Sequence, residues 1–248
     1  MQITVPVESG TPIYASCRRL SVRAPFRWLE KGWQDFRRAP WHSLAYGAVF
    51  VLTGWLLLYF SSNGSGDALV VSFLFGFLIM GPVLSFGLYD ISHQLERNRK
   101  PTFRHEGQKA LHEMGHELMF ALLLGMLFVI LATVLSMAGV TGLVPEANAF
   151  AYAIPPVLIA LIFSGVVFCV SAFALPMILH QDADATTAIT TSIHAVLKNM
   201  RVSALWALLI FLLTAAGFAT ALVGLAVIVP VLGYATWHAY RETIIVKE

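Results

Sequence analysis

The chain has 248 residues, of which 58% are hydrophobic and only 12% charged. A soluble domain carries about twice that charged share, so composition excludes a soluble globular chain and implies a polytopic membrane protein. The formal net charge of +2 gives no reason to invoke a nucleic-acid partner; its meaning lies in where the charges fall.

In chain order, residues 1–24 read as a polar cytoplasmic tail, without the apolar h-region of a cleavable signal peptide. Residues 25–40, PFRWLEKGWQDFRRAP, are predicted to form an interfacial amphipathic helix. Phe26, Leu29, Trp33 and Phe36 recur at helical spacing, with Arg27, Lys31, Gln34, Arg37 and Arg38 on the opposite face. Such a helix suits an anionic cytoplasmic leaflet; docking beneath the bundle is the second reading. Residues 41–245 form the membrane domain, with six apolar spans at about 41–60, 68–89, 118–137, 152–179, 203–218 and 222–240. A short hairpin around 219–221 separates the last two. The expected fold class is all-α, a six-helix transmembrane bundle with an N-terminal interfacial helix and the lipid bilayer as its partner.

With six spans, all 16 Lys and Arg residues fall on one side: in the tail and amphipathic helix, in the second and fourth loops, and at the C-terminus. The opposite side holds Asp67 and Glu146. The positive-inside rule then places both termini in the cytoplasm. Cys17 and Cys169 lie in the tail and in an apolar run, so neither a disulfide framework nor a thiolate metal site is expected.

An internal pattern repeats three times. PVLSFGLYD at 82–90 matches PVLGYATWH at 230–238, with a shorter echo, LPMIL, at 175–179. An amphipathic stretch precedes each odd-numbered span, which suggests three parallel units, each an interfacial helix and a helical hairpin. Eight residues beyond Pro82 and Pro230 stand Asp90 and His238. With Arg241 they are the candidate polar cluster near the cytoplasmic ends of spans two and six.

The stretch KALHEMGHELMF contains His112-Glu113-Met114-Gly115-His116. On a helix both histidines share one face and could hold Zn²⁺, with Glu113 activating its water. Against this, Glu117 follows directly, and no third-ligand motif of a membrane zinc peptidase accompanies it. In the threefold pattern, moreover, the pentapeptide occupies positions that carry no metal chemistry in the other units. A coincidental match is therefore favoured, and neither an enzyme nor a cofactor is expected. The remaining histidines, His42, His93, His105, His180, His194 and His238, fall near the cytoplasmic side. They read as interfacial side chains rather than haem or copper ligands.

The segments WLEKGWQDFRRAPWHSLAYGAVFVLTGW, LPMILHQDADATTAITTSIHAVLKNMRVSALWALLIF and PVLGYATWHAYRETI resemble the proteobacterial integral membrane proteins of domain-of-unknown-function family 2189, over about residues 18–245. The resemblance implies a Gram-negative cell inner membrane and carries no activity. Some members bear a label likening them to respiratory-oxidase subunits, for which this sequence offers no haem-ligand arrangement. Small loops and the lack of a persuasive catalytic set point to a non-catalytic scaffold, assembly factor or accessory subunit of a membrane complex. Its fifth span is rich in small residues (Ala207, Thr214, Ala215, Ala216, Gly217), which suits close contact with a membrane-protein partner or a second copy. The alternative is a small-solute transporter or channel, and a zinc metallopeptidase is the third reading.

Overall fold

A computed structural model of the chain describes residues 14–62, 84–101, 125–127, 129–130, 133, 149–181 and 183–245. Among these there is no β-strand, only an isolated antiparallel bridge between Cys17 and Ile244. The helices are α1 (Ala24–Arg38), α2 (Pro40–Ser62), α3 (Ala149–Ser171), α4 (Ala174–Gln181), α5 (Ala185–Lys198), α6 (Met200–Ala219) and α7 (Leu225–Thr243). Residues 84–96 are also helical. Most of the second and third predicted spans, with Pro82, lies outside the described residues.

The α1 helix carries Pro25 in its first turn, where a fixed φ suits the helix, and ends on Arg37 and Arg38, which face the negative end of the helix dipole. It packs along α7. Its buried stripe is Trp28, Gly32, Asp35 and Phe36, while Phe26 and Trp33 are 55% and 47% exposed. The apolar face expected from sequence is thus divided between packing and surface. Gly32 makes the contact close: a Cβ there would stand 2.6 Å from the Val231 carbonyl oxygen and 2.9 Å from the Ala235 nitrogen.

Pro230 lies inside α7 and removes the hydrogen bond that the Ala226 carbonyl would otherwise accept. Gly47 of α2 covers that carbonyl so closely that an added Cβ would overlap its oxygen. A bare Cα can offer a weak C–H···O contact in place of the lost bond.

The predicted fourth span, 152–179, is two helices rather than one. The break at Ala172 and Phe173 lies three to four residues before Pro176, where the ring would clash with a continuing helix. Ser192 of α5 splices it. Its hydroxyl accepts from the Phe173 N–H at 3.1 Å and donates to the Cys169 carbonyl at 2.8 Å, bridging the two groups that an unbroken helix would join directly. The α5 helix is capped by Asp184, which accepts from the Thr187 N–H at 3.0 Å. Hydrogen bonds from the Thr187 hydroxyl and the Thr187 N–H to the Asp184 carboxylate hold its pKa below the usual value.

Residues 14–20 form a seam between α5 and the end of α7. Arg18 N–H donates to the Thr243 carbonyl at 2.8 Å, and Ile245 N–H to that of Ser16 at 2.9 Å. Across the seam, Asn199 accepts from the Leu20 N–H and donates to the Arg18 carbonyl, while Thr191 accepts from the Ala15 N–H. Burial of Cys17 pushes its thiol pKa up, with Lys198 opposing. This part of the predicted polar tail is therefore bound into the core.

Three helical stretches are long and apolar enough to cross a membrane, among the described residues: Pro40–Phe60, Leu161–Gln181 and Met200–Ala219. The α7 helix is not one of them, because its second half is polar and aromatic, with His238, Arg241 and Glu242 in its last turns. The α6–α7 hairpin turns at 220–224, close to its expected position. Ala221 and Leu222 adopt φ of 51° and 72° there, with the Thr220 hydroxyl donating to the Gly217 carbonyl and accepting from the Gly224 N–H.

Candidate functional site

The densest polar chemistry gathers at one end of the bundle, where α1, the last turns of 84–96 and the last turns of α7 meet. In the outer layer, Glu242 forms an ion pair with Arg27 and accepts the Trp28 indole N–H at 2.9 Å. Arg241 Nε lies 3.4 Å from Glu96, which also accepts the Trp237 indole N–H at 3.3 Å. The two tryptophans are themselves 1% exposed, so each carboxylate is fixed from the apolar side as well as by an arginine.

Beneath this layer, Asp35 is buried on α1. One of its oxygens accepts the Ser92 hydroxyl at 2.6 Å and lies 2.8 Å from His238 Nε2. Burying a carboxylate is costly unless donors surround it, and these two provide them. The trio is not a hydrolytic relay. Such a relay places the serine on one imidazole nitrogen and the carboxylate on the other. Here serine and His238 Nε2 converge on the same carboxylate oxygen, and Ser92 is wholly buried. The arrangement braces α1, the 84–96 segment and α7 against one another.

A third group of residues links α4 to this end. Tyr240 accepts from Gln181 Nε2 at 2.8 Å, and its hydroxyl lies 3.0 Å from His180 Nδ1. The rings of His93, His180 and Trp237 pack edge-on, with centroids 5.1–5.4 Å apart. His194 stacks on Tyr14 at 4.2 Å. Several histidines assigned to one side thus share one end of the bundle as packing side chains. No group of three His, Cys, Asp or Glu residues able to hold a metal occurs among the described residues. His112, Glu113 and His116 lie outside them.

Above the Asp35 layer opens a cleft of about 500 Å³. Arg27 and Lys31 of α1 line it, with Arg18 of the seam and His238, Arg241 and Glu242 of α7; Glu96 and Ile244 complete the walls. The structure therefore brings two of the three expected polar residues, His238 and Arg241, to one cleft. Asp90 is buried instead and accepts from Gln94 Nε2 at 2.6 Å, within its own helical segment. Sequence reasoning missed Asp35, Ser92 and Glu96. Asp35 left one signal, an acid seven residues from Trp28 on the stripe that is buried.

Residues 69–180 match the model of the family described as "Predicted integral membrane protein (DUF2189)". The match is narrower than the resemblance drawn from residues 18–245, and of the cleft residues only Glu96 falls within it. No curated protein and no solved structure matches the chain.

Proposed function

We propose that this chain, built around the matched membrane segment, is a six-span protein of the bacterial inner membrane with both termini in the cytoplasm. Its role in this reading is non-catalytic: a scaffold, assembly factor or accessory subunit that acts through its helix faces on a membrane-protein partner or a second copy. One observation carries the reading. The three carboxylates that meet at the polar end are engaged by neighbouring side chains (Glu242 by Arg27, Glu96 by Arg241, Asp35 by His238 and Ser92), as a brace requires. A reactive site would keep at least one such group directed at a substrate.

The test is mild-detergent purification from native membranes, with mass spectrometry of co-purifying proteins and metals. A stoichiometric membrane-protein partner, or a stable homo-oligomer, is expected. One tightly bound zinc per chain, lost on His112→Ala, with a dead Glu113→Gln variant, would replace the reading with the peptidase. Topology is checked separately: cysteines introduced at Ser65 and Asn148 should label from outside intact spheroplasts, and one at Arg99 should not.

The transporter reading is favoured by the cleft itself, whose walls include His238 and Arg241. It requires a path from that cleft between the spans. Solute flux in reconstituted vesicles, abolished by His238→Ala with the fold intact, would establish it.

A further inference from the structure

We infer that the cleft between α1, the seam and the end of α7 binds a phosphate-bearing anion. An anionic lipid headgroup and a soluble phosphate are the two sources of that chemistry.

The charge balance motivates this. Arg18, Arg27, Lys31 and Arg241 face the cleft against only two carboxylates, Glu96 and Glu242, an excess of two positive charges before His238 is considered. Both carboxylates are already engaged by an arginine and an indole N–H. Arg18 and Lys31 make no ion pair among the described residues. Two cations from different parts of the chain thus line one cavity, together with two more arginines. That is the arrangement guanidinium and ammonium groups adopt around phosphate oxygens.

Size and setting agree. A volume of about 500 Å³ lies within the range of small-molecule pockets and leaves room for more than a bare ion. The exposed Phe26 and Trp33 lie on the same helix, α1, that supplies Arg27 and Lys31 to the cleft. Exposed aromatics beside basic groups are what a helix presents to a headgroup layer. The inference holds whether the chain proves to be an accessory subunit or a transporter.

The test uses the full chain in neutral detergent, with native mass spectrometry counting bound phosphatidylglycerol against phosphatidylcholine. One saturable phosphatidylglycerol per chain is expected. Arg18→Gln with Lys31→Gln should weaken it about tenfold more than Arg19→Gln with Arg23→Gln, which removes equal charge from outside the cleft. Lys31→Gln alone, on the exposed face of α1, serves if the double variant fails to fold, and should weaken binding severalfold. Inorganic phosphate then separates the sources. If millimolar phosphate binds in the cleft and displaces the lipid, the phosphate group itself is recognised and a soluble ligand can occupy it. If lipid binding is unaffected by phosphate, the headgroup with its glycerol is the ligand. Equal losses in the two double variants, or no preference for phosphatidylglycerol, would overturn the inference.

Discussion

The polar end and the helical shafts of this molecule obey different rules. At the polar end Trp28, Trp206, Trp237, Tyr234 and Tyr240 are almost wholly buried, with Trp28 and Trp206 in edge contact at 5.5 Å. The indoles of Trp28 and Trp237 and the hydroxyls of Tyr234 and Tyr240 each tie two elements together. Along the shafts the largest apolar groups face outward: Leu58 and Tyr59 of α2, Leu161 and Ile162 of α3, and Phe211 of α6 are each 60% exposed or more. In water such surfaces would drive aggregation. The contrast teaches that this chain builds a soluble-type core at one end and leaves the bilayer to solvate the rest.

That comparison can be broken most sharply at Trp28. Trp28→Ala removes a buried side chain from the junction of α1, α6 and α7, and also leaves Glu242 without its indole donor. It should cost about 3–5 kcal/mol of stability, read as a fall in the unfolding midpoint in detergent. Loss of the fold's thiol protection provides a second readout, because Cys17 is 4% exposed and its raised pKa slows thiolate chemistry. Maleimide should reach Cys17 in the variant well before it does in the parent.

Next in size is Gly47→Ala. The new Cβ meets the Ala226 backbone carbonyl, which cannot rotate away as a side chain would, so α2 must move off α7. The expected cost is about 1–3 kcal/mol, measured by the same unfolding assay. Gly165→Ala, where an added Cβ meets nothing within 4 Å, is the control and should not destabilise the fold.

Asp184→Ala tests the polar end at its edge, removing the cap of α5 at a cost of about 1 kcal/mol. Its pH dependence has a definite sign. The folded pKa of Asp184 is depressed, so its contribution is complete above the ordinary carboxylate pKa. It is lost as pH falls through the lower folded value. The parent should lose this increment on acidification, and the alanine variant, lacking the carboxylate, should not.

The smallest effect sharpens the contrast from the other side. Phe211 is 68% exposed on α6, so Phe211→Ala should change stability by no more than about 0.5 kcal/mol in detergent. A loss as large as that of Trp28→Ala would mean that the shaft packs against protein rather than lipid.

Helices were the most legible feature of the sequence. Continuous apolar runs and the amphipathic period of residues 25–40 announce themselves locally, and α1 falls within two residues of its expected ends. Its buried face did not. Phe26 and Trp33 look as apolar as Phe36, and only the partner helix decides among them, by offering a close backbone at Gly32 and an acceptor, Glu242, for the Trp28 indole. The split of the 152–179 segment was half legible. Pro176 marks the weakness, but the hydroxyl that spans the break comes from Ser192, on another helix. For the candidate site, His238 was reached through the matched proline segments, eight residues beyond Pro230, and Arg241 by its place near the same helix end. The Asp35–His238 contact joins residues about two hundred positions apart, and nothing in local sequence records such a pairing.

The seam carries a consequence for how the protein is made. Arg18 and Ser16 are synthesised more than two hundred residues before their backbone partners, Thr243 and Ile245. At about 5–20 residues per second, the earlier segment must wait on the order of ten to forty seconds for the one that receives it. During that interval Cys17 lacks its final cover, and Trp28 waits for Glu242. The polar end therefore works as a completion seal. It closes once α7 is in place, and a chain stopped short of residue 243 would carry its aromatic core open to the proteases and chaperones that meet it.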